Sequence, residues 1–216
     1  MGQRESRLDF GHFGQTLVSL QERRRTLIYS KGMEDWTMAM LGDPGVGKTA
    51  LANQFTMNVS VDCTETSVDD YRRLLLVDNR QCIIGVVTTA NLDHWATLRE
   101  TWLRQDQGFI LVYSISDRAT FDRINHWREM INGDPAAFIL IGNKADQDYA
   151  RKVTKSEGEA LATELGCHFL ETSAKTAQNV DRLFETMVRL LRDAAGSRVA
   201  AAEHHRARKR TKCCVL

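Results

Sequence analysis

The octapeptide GDPGVGKT, Gly42–Thr49, constrains this chain more than any other stretch. It satisfies the pattern G-x-x-x-x-G-K-[ST], with the strand-like run WTMAML (Trp36–Leu41) before it and the helix-like TALANQF after it. Gly42, Gly45 and Gly47 let the backbone curl, so that successive N–H groups point inward and make a cradle for an anion. The helix that opens behind them adds its partial positive charge. Lys48 has the reach to bridge terminal phosphates, and the Thr49 hydroxyl suits a Mg²⁺ ligand. The candidate phosphate-binding set is Gly42, Asp43, Gly45, Val46, Gly47, Lys48, Thr49 and Ala50. A chance glycine turn is the bland alternative, and the strand-then-helix context argues against it.

Beyond the loop, apolar runs and amphipathic segments alternate. RLLLVDN and CIIGVVT read as adjacent strands, and GFILVYSI (Gly108–Ile115) and AAFILIG (Ala136–Gly142) as strands covered on both faces. Helical patterns occupy Thr120–Ile131, Thr154–Leu165 and Asn179–Leu191. The alternation predicts an α/β domain with a mostly parallel, six-stranded sheet and helices on both faces.

At 216 residues and 43% hydrophobic, the chain has material for one good core. The expected organisation is a polar, flexible extension over residues 1–34, a single domain over 35–192, and a basic tail over 193–216. The five cysteines contain no CxxC pair and are odd in number, which is no disulfide framework and points to a reducing compartment. No apolar stretch approaches the roughly 18 residues of a membrane span, and no signal-peptide h-region opens the chain. Membrane attachment is therefore expected through lipid or charge.

The base is suggested by IGNKAD (Ile141–Asp146) and ETSAK (Glu171–Lys175), each at the end of a predicted strand. The Asp146 carboxylate accepts from two neighbouring N–H groups, a pair that guanine offers at N1 and N2 and adenine does not. A site built on that pairing leaves a buried carboxylate unpaired with the wrong base. Lys144 has an alkyl stem to lie against the ring, Asn143 can tie loops together, and backbone N–H groups at Ser173, Ala174 and Lys175 can receive the base oxygen.

With these motifs in this order, the chain resembles a Ras-superfamily small GTPase of the Ras-like subfamily, from about Asp35 to Arg192. The resemblance implies a GTPase domain binding GTP or GDP with Mg²⁺, and an effector loop at Thr64–Arg73. It places Thr66 where the family's switch threonine meets the metal and the γ-phosphate, with Thr64 and Ser67 close by in sequence. No aromatic stands where the family stacks a phenylalanine on guanine; Val59 and Ser60 lie there instead. The second switch departs further, with TTANLD (Thr88–Asp93) in place of DTAGQE. Thr88 replaces the aspartate that supports the Mg²⁺ shell, which weakens the expected metal binding. Asn91 replaces the glycine whose N–H reaches the γ-phosphate, and still offers a backbone N–H. Leu92 replaces the glutamine that orients the attacking water, so no confident catalytic residue remains and slow hydrolysis is expected. Asn91 or His94 standing in for the glutamine is the alternative. Pro44, at the loop position facing a partner's arginine finger in the family, adds bulk and lacks an N–H.

The chain ends CCVL, which fits the C-a-a-X pattern with leucine last and predicts geranylgeranylation of Cys213. The basic run Arg206–Lys212 supplies the second signal that stable anchoring needs, at about 1 kcal/mol per basic residue on an anionic leaflet. These features predict a lipid anchor at the cytoplasmic face of a membrane, the plasma membrane being the first choice. The N-terminal MGQRES also matches a myristoylation pattern at Gly2. Expected partners are guanine nucleotide, effector proteins, an exchange factor and an anionic membrane, with no nucleic acid. The rival readings are a non-catalytic interaction module that ignores the nucleotide state, and a P-loop kinase, which leaves NKAD unexplained.

Overall fold

The structure, a computed structural model, describes residues 33–58, 70–88, 108–131 and 137–212. Strand β1 (Glu34–Leu41) lies centrally, parallel to β3 (Arg80–Thr88) on one side and β4 (Gly108–Ser114) on the other. Strand β2 (Asp70–Val77) runs antiparallel to β3 and forms one edge. Strands β5 (Ala137–Asn143) and β6 (His168–Glu171) continue in parallel to the other edge. The order is β2-β3-β1-β4-β5-β6, the six-stranded, mostly parallel sheet that the alternation of runs predicts.

Alternation within each strand sends side chains into two cores. Met38 and Met40 of β1, Ile110 and Val112 of β4, and Ile139 and Ile141 of β5 enter one core. There they meet Leu51 and Phe55 of α1 (Lys48–Met57) and Leu183, Phe184 and Met187 of α5 (Val180–Lys212). Ala39, Leu41, Phe109, Leu111, Tyr113 and Leu140 enter the other core. That face is covered by α2 (Arg118–Asp122), α3 (Ile124–Met130) and α4 (Lys155–Leu165). Burial on both faces is why these strands read as continuous apolar runs.

Three differences from the sequence expectation bear on the fold. Strand β1 starts at Glu34, one residue inside the expected extension, and Glu34 Oε2 accepts from Arg192 Nε at 2.8 Å. The helix expected over Thr120–Ile131 is two helices joined at Arg123, whose backbone (φ −89°, ψ 0°) breaks the ladder. Helix α5 continues past Leu191 to Lys212 because its alanine- and arginine-rich continuation favours helix after the apolar periodicity ends. Helix α4 opens on a capping box in which Thr154 and Glu157 satisfy each other's backbone donors. Among the described residues no helix is long and apolar enough to cross a membrane.

Candidate functional site

In an open parallel sheet the crevice beyond the strands' carboxyl ends receives ligand, and the expected binding segments gather there. Between β1 and α1, Gly42, Gly45 and Gly47 all take positive φ, at 147°, 78° and 99°. Two of these glycines are also demanded by space. A Cβ on Gly42 would stand 2.1 Å from the Val112 carbonyl oxygen, and one on Gly47 would stand 2.4 Å from Asn143 Nδ2. Pro44 and Gly45 are exposed at the loop's outer turn, while Val46 is buried beneath it.

Lys48 folds back over the loop, donating from Nζ to the Gly42 carbonyl at 2.8 Å and the Asp43 carbonyl at 2.9 Å. Burial lowers its pKa to about 8, against a smaller raising influence from Asp43. An ammonium in so dry a place is poised to meet a phosphate. Thr49 and Ala50 follow in the first turn of α1, both partly buried.

The base segments are tied directly to this loop. Asn143, 1% exposed at the end of β5, donates from Nδ2 to the Val46 carbonyl at 2.8 Å and accepts from Thr172 Oγ1 at 3.2 Å. Lys144 then takes a left-handed conformation (φ 66°), turning the chain into a 3₁₀ helix over Ala145–Ala150. The Ala145 N–H donates to the Thr172 carbonyl, and Ser173 Oγ donates to Asp146 Oδ1 at 2.6 Å. Thr176 N in turn donates to Ser173 Oγ, so the segment around Ser173 and Ala174 is braced on both sides. Asp146 keeps its second carboxylate oxygen for a further donor, while Lys175 is exposed at the rim. The described residues thus bring the phosphate and base segments together as one network.

The contacts of Asp43 do not follow from any motif. Its two carboxylate oxygens have different partners, both on or between the helices α2 and α3. Oδ1 accepts from Trp127 Nε1 at 2.8 Å, and Oδ2 lies 3.3 Å from Arg123 Nη1. An acid inside an anion-binding loop calls for buried donors, and that was the available signal in the sequence.

Thr88 ends β3 beside β1, in register with Met40 two residues before the loop. It is 1% exposed, and its Oγ1 has no hydrogen-bond partner. A buried hydroxyl left unpaired is costly unless a ligand or its water completes it. The Thr49 hydroxyl is the kind of oxygen donor that a Mg²⁺ held mainly by phosphates would take. No group of three or more His, Cys, Asp or Glu among the described residues offers a second metal site. Thr66, Asn91, Leu92 and Cys213 lie outside the described residues, and for Arg206–Lys212 the structure describes the helical backbone only.

Comparison with known proteins agrees with this geometry. The family model described as Ras family matches residues 37–193. Ras-like protein 1 of Pyricularia oryzae is 39% identical over 178 residues, covering 72% of this chain and 74% of its own. Ras-like protein B of Aspergillus fumigatus is 36% identical over 185 residues, covering 73% and 77%. Ras-like protein rasW of Dictyostelium discoideum is 40% identical over 161 residues, covering 72% and 74%.

Proposed function

Because the chain belongs to the Ras family, and so is a small GTPase acting as a GTP-binding signalling switch, we propose that it is a membrane-attached member that turns GTP over slowly. The observation that carries this reading is Thr88, whose buried and unpartnered hydroxyl stands where the family has its metal-supporting aspartate. Four residues on, Leu92 occupies the position of the water-orienting glutamine.

In this reading the backbone of Gly42–Gly47 and the Lys48 ammonium receive the β- and γ-phosphates. Asp146 accepts the guanine N1 and N2 protons, Lys144 lies along the ring, and the backbone at Ser173–Lys175 receives the base oxygen. Asn143 keeps the two halves in register through Val46. A bound Mg²⁺, held by Thr49 and Thr66 with the phosphates, would supply charge neutralisation. Neither Thr88 nor Leu92 supplies a carboxylate or amide, and phosphoryl transfer rests on positioning and electrostatics. Binding is therefore retained and turnover reduced. Residues Thr64–Arg73 present the effector surface, and Asn91 keeps a backbone N–H for the γ-phosphate. The anchor is a prenyl group on Cys213 backed by the basic run Arg206–Lys212.

Single-turnover hydrolysis by purified protein tests the reading. The expected rate is well below that of the Ras-like relatives, and Leu92→Gln is expected to raise it. An unaltered protein that hydrolyses GTP as fast as those relatives overturns slow turnover. Fractionation of cells expressing Cys213→Ser tests the anchor, with loss from the membrane fraction expected.

A second reading, favoured by Thr88 and Asn91, is an interaction module indifferent to the γ-phosphate. Equal partner binding by protein loaded with GDP and with a GTP analogue would establish it.

A further inference from the structure

An acid is out of place in a loop built to hold anions, and the geometry around Asp43 shows how this one is accommodated. The residue is split between two neighbours. Its main-chain carbonyl accepts from Lys48 Nζ at 2.9 Å, whereas its carboxylate is held by residues of the helical segment beyond β4. There Trp127 Nε1 donates at 2.8 Å and Arg123 Nη1 lies at 3.3 Å, so each oxygen has its own partner.

Neither donor is placed by chance. Trp127 is 2% exposed and packs in the core with Ala39, Leu41 and Ile124, so its N–H is fixed before any ligand arrives. Arg123 is the residue at which α2 gives way to α3, and the break turns its guanidinium toward the loop. The Asp43 side chain itself is 9% exposed, too dry for water to do this work.

We propose that Trp127 and Arg123 are positioning residues for nucleotide binding: they pin the Asp43 carboxylate against α3 and keep the loop's own negative charge off the phosphates. The inference rests on the reading that Gly42–Thr49 holds nucleotide phosphates. It assigns helix α3 a direct hold on the loop, so that displacing α3 would loosen the nucleotide through Asp43. Electrostatic restraint of this kind differs from packing in one respect: it matters only while Asp43 is charged.

The experiment measures dissociation of a fluorescent GDP analogue from full-length protein carrying Trp127→Phe, Arg123→Gln, or Trp127→Phe in an Asp43→Asn background. Trp127→Phe keeps the ring and loses the N–H, and is expected to speed dissociation roughly tenfold. Arg123→Gln, at a half-exposed residue that the core does not need, is expected to act in the same direction. With Asn at position 43 the Trp127→Phe effect is expected to vanish, because the amide carries no charge to restrain. Equal acceleration in both backgrounds, or none in either single variant, overturns the proposal. Wild-type protein that retains no guanine nucleotide would instead overturn the binding reading itself, and this inference with it.

Discussion

Asn143 Nδ2 donates to the Val46 carbonyl at 2.8 Å, across 97 residues of sequence, and this one bond joins the base segment to the phosphate loop. The contact is possible because residue 47 has no side chain, a Cβ there falling 2.4 Å from the same nitrogen. Asn143→Ala leaves the Val46 carbonyl and the Thr172 hydroxyl without their partner in a dry site. The expected cost is about 1–3 kcal/mol, or roughly 5- to 150-fold in nucleotide dissociation constant. Equilibrium titration with a fluorescent guanine nucleotide checks it, and a Thr172→Val variant should lose only the smaller part.

How much of this was legible in the sequence depends on range. The strands could be placed to within a few residues because burial on both faces writes them as apolar runs. The glycines and Lys48 announce themselves because the motif is local and its geometry is enforced by sterics. The break at Arg123 leaves no comparable mark, since neither a glycine nor a proline stands there. The bond between Trp127 and Asp43 spans 84 residues and joins two types that no short pattern couples. What Thr88 lacks is visible from sequence, but its unpartnered burial is a property of the packed sheet alone.

The lowered pKa of Lys48, about 8 against an ordinary 10.5, gives a pH dependence of definite sign. Below pH 8 the lysine is charged in both native and unfolded states, and its buried charge weighs against folding. Between pH 8 and 10.5 the unfolded chain binds the proton more strongly, so nucleotide-free protein gains stability as pH rises. Phosphate reverses this by favouring the ammonium, so binding above pH 8 should take up a proton. The uptake is expected to grow as pH rises from about 8 toward 10. Calorimetry in buffers of different ionisation enthalpy measures it, and Lys48→Met should abolish it.

Tyr113 offers a stability test away from the site. Its side chain is fully buried, its hydroxyl has no partner, and burial holds its pKa well above the ordinary tyrosine value. Gly158 lies so close that a Cβ there would stand 2.6 Å from the same hydroxyl. Tyr113→Phe removes an unsatisfied polar atom and relieves crowding, so it is expected to be neutral or stabilising by up to about 1 kcal/mol. Gly158→Ala is expected to destabilise by about 1–3 kcal/mol through overpacking against Tyr113 and Phe169. Urea denaturation of the two variants should therefore move the midpoint in opposite directions, or only the second downward.

Thr88→Asp restores the acid that the family carries at the end of β3, and its two consequences oppose each other. Without metal, a carboxylate replaces a hydroxyl at a site 1% exposed, and no hydrogen-bond donor stands ready for it, since Oγ1 has none. Nucleotide-free protein in chelator should therefore be less stable than the parent by about 1–3 kcal/mol. With nucleotide and Mg²⁺ present, the same carboxylate strengthens the metal's water shell, so less Mg²⁺ should be needed to retain nucleotide. Nucleotide release followed across a Mg²⁺ titration separates the terms. The variant's midpoint is expected at lower Mg²⁺ than the parent's, while its chelated form melts earlier. Unchanged midpoints in both titration and melting would mean that Thr88 stands apart from the metal. The weak-metal part of the proposed slow turnover would then fall, leaving it to rest on Leu92 alone.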